Sequence, residues 1–206
     1  MNTKTVTDYI SAIEENYQYF LKNVVLEDLE KAANLILLSK KAGGRVHVTG
    51  IGKPSHIAQY ISALLSSTGT KAYFLDATET VHGSAGQVEE GDVVIAISNS
   101  GETLELKAAI SALKNIGAKL IGVSGGRDSW LEKQSDVFLY AGVMSEGDST
   151  NKPPRLSILA EVTVLQCLSI LLQEASDLTM EKYYKWHPGG QLGDSVRKQL
   201  KTEDQS

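Results

Sequence analysis

The stretch Asp92-Val93-Val94-Ile95-Ala96-Ile97-Ser98-Asn99-Ser100-Gly101-Glu102-Thr103 changes character halfway along. Its first half is a continuous apolar run rich in β-branched residues, the pattern of a strand buried on both faces of a parallel sheet. Its second half is polar, and from Leu104 apolar residues return at helical spacing as Leu106, Ala109, Ile110 and Leu113. The spacing therefore predicts a strand-to-helix turn over Ser98 to Thr103. First-turn N–H groups of a helix lack intrahelical acceptors and its dipole favours negative charge, so such a turn can receive a phosphate. Ser98, Ser100 and Thr103 add hydroxyls around the permissive Gly101, with Asn99 between them. A plainer reading makes Ser100 an N-cap, with Thr103 or Glu102 supporting the first helical turn. No Gly-Lys-Ser/Thr follows the glycine, so a P-loop and nucleotide hydrolysis are disfavoured.

Outward from this stretch the pattern repeats. Arg45 to Thr49, Lys71 to Leu75, Lys119 to Ser124 and Asp136 to Tyr140 read as four more strands, and helical periodicity fills most of the intervals. Strands alternating with helices predict an α/β fold with a parallel sheet and right-handed crossovers. Ligands of such sheets bind beyond the carboxyl ends of the strands. Lys53, the loop with His82-Gly83, the turn Ser98 to Thr103 and Glu146 all follow strands on that edge. Gly50-Ile51-Gly52 lacks the third glycine of a dinucleotide fingerprint, and Pro54 suits the first turn of a helix.

Ahead of the first strand, Tyr9, Ile10, Ile13, Tyr17, Phe20, Leu21 and Val24 recur at helical spacing. A second helix is expected from about Leu26 to Lys41, stopping at Gly43-Gly44. Preceding the sheet, these two helices are expected to be free to pack on another subunit. After Pro153-Pro154 a long apolar helix is expected from about Leu156 to Ala175, buried in the domain or in an oligomer interface. The tail, Trp186-His187-Pro188-Gly189-Gly190-Gln191-Leu192-Gly193, is too rich in glycine for plain helix.

The chain of 206 residues, with 42% hydrophobic residues, fits a single domain, residues 1–42 supplying the N-terminal helices and 43–206 the α/β core with its C-terminal helices. A net charge of -5 with no lysine or arginine cluster argues against nucleic acid and anionic membrane as partners. No signal core is evident and no apolar stretch is expected to reach membrane-spanning length, so the expected location is cytoplasmic. The single cysteine, Cys167, is expected to be a buried small hydrophobe. The four histidines, His47, His56, His82 and His187, lack the paired spacing of a zinc site, so neither a metal nor a cofactor is expected. His47, inside a strand, reads as structural.

These residues resemble the sugar isomerase (SIS) family, and within it the arabinose-5-phosphate isomerase branch. The resemblance runs from Val46 to about Arg197 and rests on Gly50-Ile51-Gly52-Lys53, His82-Gly83, Ser98-Asn99-Ser100-Gly101-Glu102, Glu146 and His187-Pro188-Gly189-Gly190 with Leu192-Gly193. It implies a three-layer fold with a five-stranded parallel sheet flanked by helices, a homotetramer, and a sugar phosphate held by the Ser98 to Thr103 turn. It also puts Lys53, His82, Glu102, Glu146 and His187 on positions proposed to line the family's active site. Family members usually carry a pair of CBS domains after this point, and a chain ending near Ser206 is expected to lack that regulatory module. Two departures bear on the substrate. Pro154-Arg155-Leu156-Ser157-Ile158-Leu159 stands where the family has a small polar run, and Pro54-Ser55 replaces its usual Ser-Gly, offering the Ser55 hydroxyl one residue later.

Aldose-ketose isomerisation needs a base that moves a proton between adjacent carbons through an enediol, and a means of opening the sugar ring. Glu102, projecting from the phosphate turn, is the first candidate for that base. His82 and His187 suit ring opening and proton shuttling, because imidazole titrates near neutrality. Lys53 suits stabilisation of enediolate charge, and Glu146 a second carboxylate or a hydroxyl-binding group. The alternative is a regulatory protein that binds sugar phosphate without turnover.

Overall fold

The computed structural model describes residues 3–187, 189, 190 and 194; Pro188, Leu192 and Gly193 of the tail motif lie outside them. Five parallel strands form one sheet in the order β2-β1-β3-β4-β5, where β1 is Val46–Gly50, β2 Ala72–Phe74, β3 Val93–Ile97, β4 Lys119–Ser124 and β5 Val137–Tyr140. The expected three layers are present. Every residue of β1 and β3 is buried, as expected of strands covered on both faces. Each face of the sheet carries its own core. Val46, Val48, Val93, Ile95 and Ile97 point to one, and Val94, Ala96 and Leu120 to the other.

The first core is covered by α1 (Lys4–Asn23), α2 (Leu26–Lys41), α3 (Lys53–Ser67) and α7 (Leu156–Glu174). The second is covered chiefly by α5 (Leu104–Ile116), with α4 (Ala77–Thr80) and α6 (Trp130–Gln134) beside it. Charge placement agrees with the helix dipoles: α2 begins with Glu27 and Asp28 and ends with Lys40 and Lys41. Gly117, with φ 98°, ends α5 in the left-handed conformation that glycine adopts without a steric penalty.

The polar stretch after β2 contains α4 and a 3-10 turn, Ser84–Gln87, and α8 (Met180–Trp186) precedes the glycine-rich tail. Two expectations are corrected. First, α2 has only its outer face free for another subunit, because Leu29, Ala32, Ala33 and Ile36 are buried in its own domain. Second, α7 is long and apolar enough to cross a membrane by length and composition. Its Ala160, Val164, Leu165, Leu168 and Leu172 instead pack into the first core. Cys167 is only partly buried, at the edge of that core. His47 is buried and bonds through Nε2 to Asp92 Oδ2 at 3.1 Å, a structural role. Burial pushes its imidazole below the ordinary value, outweighing the hydrogen bond to Asp92, which acts the other way.

Candidate functional site

In the order β2-β1-β3-β4-β5 the direction of winding reverses between β1 and β3, which is where a doubly wound sheet opens a crevice at its carboxyl edge. Gly50 pairs with Ile97 across that boundary, so the loop Gly50-Ile51-Gly52 lies beside the turn that starts at Ser98. Close approach requires the glycine: a Cβ on Gly50 would lie 2.9 Å from the Pro54 carbonyl carbon and 3.1 Å from the Ile97 oxygen. Lys53 opens α3 at this point, exposed, and Ser55 Oγ donates to Gly52 O at 2.6 Å.

The turn is built mainly from its own hydroxyls. Ser98 Oγ and Thr103 Oγ1 are 3.1 Å apart, Ser98 Oγ accepts from Gly101 N, and Ser100 Oγ accepts from Glu102 N at 3.2 Å. Ser100 Oγ thus closes a local turn, but the N-cap of α5 is Thr103 and makes no side-chain cap, so Ser100 is not the helix cap of the plainer reading. These bonds do not use up the donors. Among the described residues the amides of Asn99, Ser100 and Thr103 donate to no protein acceptor, and they lead directly into the first turn of α5. That arrangement can receive an anion. Gly101 has φ +67°, and a Cβ there would fall 2.4 Å from Ser129 Oγ, so no other residue fits this turn unless the α6 cap moves.

Glu102 is more committed than the sequence suggested. Its Oε1 accepts from Trp130 N at 2.7 Å, and its Oε2 meets Lys107 Nζ at 2.5 Å. The Lys107 hydrogen bond, followed by that of Trp130, holds its carboxyl below the usual range, so it is ionised at neutral pH.

Glu146 is buried after β5. Its Oε2 accepts from the amides of Arg155, Leu156 and Ser157 at 2.6, 2.9 and 3.2 Å, which makes it the anionic cap of α7. The loop carrying it is pinned by two asparagines that the sequence reading passed over. Asn16 Oδ1 on α1 accepts from Met144 N and Ser145 N, each at 2.9 Å, and Asn151 Oδ1 accepts from Glu146 N at 2.6 Å. Arg155, part of the departure from the family's polar run, pairs with Asp148 in the same loop. A hollow of about 210 Å³ is lined by Asn99, Gly125, Ser145, Glu146 and Asn151, so the serine turn and Glu146 share a wall. A second hollow, of about 360 Å³, lies between α3 and α7 and is lined by Lys53, His56, Tyr60, Pro154 and Ile158.

The histidines are placed differently. His82 is exposed in the turn after α4, on the carboxyl side of β2. His187 is at the opposite end of the sheet. It stacks on Tyr183 at 4.1 Å and bonds through Nδ1 to Tyr183 O at 2.9 Å. Its neighbour Trp186 lines a hollow with Lys40 and Gly69, which precede the amino ends of β1 and β2. Within one chain, His187 is therefore not gathered with the others. Among the described residues no group of His, Cys, Asp and Glu stands where it could hold a metal ion.

One buried group had no counterpart in the sequence reading. Glu161, on the second turn of α7, is wholly buried with neither oxygen hydrogen-bonded among the described residues, and the Ser157 hydroxyl one turn earlier is likewise unpartnered. Burial, with a smaller contribution from Glu146, pushes its carboxyl up to about 8. The signal was present as Ser157 and Glu161 spaced i, i+4 in an otherwise apolar run.

Residues 37–171 match the SIS domain family. The arabinose 5-phosphate isomerase KdsD of Pseudomonas aeruginosa is 39% identical over 178 residues, covering 86% of this chain and 53% of that protein. An uncharacterized protein of Helicobacter pylori is 36% identical over 93% of this chain and 57% of its own length. The chain thus spans about half the length of the curated relatives it matches. Among solved structures, the E. coli CFT073 protein c3406 in complex with arabinose 5-phosphate superposes with a TM-score of 0.78 at 34% identity, covering 91% of this chain and all of that one.

Proposed function

The chain belongs to the SIS domain family, and from that premise we propose that it is an aldose-ketose isomerase acting on a sugar phosphate, most like the interconversion of arabinose 5-phosphate and ribulose 5-phosphate. The observation that carries the reading is the serine turn: three unengaged amides and the hydroxyls of Ser98, Ser100 and Thr103 at the switch point of the sheet, with Lys53 opening the neighbouring helix. The kinship to isomerases over nearly the whole chain supports the choice of reaction.

In this reading the turn holds the phosphate, with Asn99 and the Ser55 hydroxyl beside it, and the sugar extends toward Glu146. Lys53 stabilises the oxyanion of the enediolate as the proton leaves the carbon next to the carbonyl. Glu102 is the base. It is ionised at neutral pH, as a base must be, and it gains basicity when the arriving phosphate draws Lys107 away from it. His82 acts in ring opening. His187 serves the same chemistry from a neighbouring subunit of a homotetramer, a role supported by its position at the far end of its own sheet. The protein operates in the cytoplasm.

A panel of aldose and ketose phosphates in D2O, followed by NMR, tests the reading. Interconversion with deuterium entering at the carbon next to the carbonyl is the expected result. Glu102→Gln should then lower kcat by roughly 10²–10⁴-fold with KM little changed. Near-normal turnover in that variant would transfer the proton step to His82, His187 or Glu146. Binding without turnover of any sugar phosphate would make the protein a regulator.

A further inference from the structure

At the amino edge of the sheet, remote from the serine turn, lies a cavity of about 520 Å³ lined by Lys40, Arg45, Thr70, Lys71 and Tyr73. A second hollow, of about 300 Å³, adjoins it and shares Arg45 and Tyr73, adding His47 and Gln87. Together they form one cleft with the Tyr73 ring in its middle.

Sheet register produces this clustering. Arg45 immediately precedes β1 and Lys71 immediately precedes β2, and the pairing of Val46 with Ala72 sets the two cations side by side on parallel strands. Like charges across neighbouring strands repel. Among the described residues no ion pair relieves this for either the Arg45 guanidinium or the Lys71 ammonium. Lys40 adds a third cation, held in place by donating to Gly69 O at 2.9 Å, an interaction that leaves its charge unneutralised. The chain as a whole carries a formal charge of -5, so this concentration of positive charge is local. Asp92, which accepts from Arg45 N, Glu89 N and His47, makes no ion pair with the Arg45 guanidinium among the described residues.

The remaining features fit an aromatic group. Tyr73 is 47% exposed although it lies on a strand, and its ring is 5.9 Å from that of His47, so two ring systems edge the cleft. Thr70 is buried at the cavity wall, and among the described residues its hydroxyl makes no hydrogen bond. A cavity of this size is within the range that takes a small organic ligand.

We propose that this cleft is a second ligand site, one that binds a nucleotide with its phosphates between Arg45, Lys71 and Lys40 and its base on the Tyr73 ring. The guanidinium of Arg45 can grip a phosphate through two parallel N–H donors, and Lys71 and Lys40 act as point charges beside it. The site goes beyond the isomerase reading and does not depend on it, because it shares no residue with the serine turn and faces the other end of the sheet.

Calorimetry with ADP as the probe, on the full chain, tests the proposal. ADP should bind once per chain, and inorganic pyrophosphate and adenosine should each bind at least tenfold more weakly than ADP. Arg45→Ala and Lys71→Ala should each weaken ADP by at least tenfold, Arg45→Lys should recover part of that loss, and Tyr73→Leu should weaken ADP several-fold while leaving pyrophosphate unchanged. These side chains are exposed, and unaltered melting curves would verify that the variants are folded. Ser100→Ala should leave ADP binding as it is. The proposal is overturned by absence of ADP binding at millimolar concentration. It is overturned equally if Ser100→Ala abolishes binding while Arg45→Ala does not, since ADP then occupies the serine turn, or if pyrophosphate binds as tightly as ADP.

Discussion

Glu161 couples the stability of this fold to pH. An ordinary glutamate loses its proton near 4.5, whereas this one holds it to about 8 because its ionised form would stand in a dry, unpaired environment. The sign follows from the direction of the shift. Below pH 4.5 the folded and unfolded chains both carry the proton. As the pH rises toward 8, the unfolded chain releases it while the folded chain cannot, so stability is lost progressively through that window. Between pH 5 and 7 the loss is about 2–3 kcal/mol. Glu161→Gln keeps the shape and removes the titration. Urea unfolding at pH 5, 6 and 7 should therefore show a stability gain for the variant that widens with pH, and parallel profiles for the two proteins would contradict the assignment. The i, i+4 spacing of Ser157 and Glu161 did not by itself show burial, because a charged residue in an apolar helix reads equally well as a residue at its solvent edge.

At the scale of elements, α7 depends on a residue outside itself. Arg155, at its N-cap position, makes no side-chain cap; the Glu146 carboxylate, from the loop after β5, takes the first three free amides instead. Glu146→Ala should cost about 2–3 kcal/mol in urea unfolding, and Glu146→Gln clearly less, because an amide oxygen can still accept. Equal losses in the two variants would mean that the capping geometry is not what matters. The long elements were legible in the sequence because apolar periodicity over many residues overrides local ambiguity: β3 and α5 lie where the stretch around Ser98 placed them. The short helices α4, α6 and α8 were not, although each begins at a capping side chain: Asp76, Ser129 and Thr179. A helix of four to seven residues buries too little to leave a stripe, so its cap was the only signal available. Glu102 escaped full reading for a related reason. Its role in the sequence was set by its neighbours in the turn, whereas in space it is shared with Lys107 and Trp130.

For the whole molecule, one subunit leaves apolar side chains uncovered. Ile10 and Leu21 on α1, Leu26 and Leu38 on α2, and Leu159 and Ile170 on α7 are all exposed, although α2 and α7 also bury their inner faces. Together with the distance between His187 and the serine turn, this supports the proposed homotetramer. Light scattering at micromolar concentration should give the mass of four chains; a monomer would remove the partner on which His187 depends. The parallel sheet was readable from the alternation of strands and helices. The pinning of the Glu146 loop by Asn16 was not, because Asn16 stands 128 and 129 residues from Met144 and Ser145 in the chain.

The strand order has a consequence during synthesis. Because β1 pairs with β3 on one side and only the three-residue β2 on the other, its main partner is made after all of α3, β2 and α4. Vectorial emergence from the ribosome thus leaves Val46 and Val48 without their central neighbour until Ile97 has been added, and no hairpin is available to shield them meanwhile. The nascent chain passes through an interval in which a strand destined for the deepest layer has an open edge. That interval is when a chaperone would have most to hold.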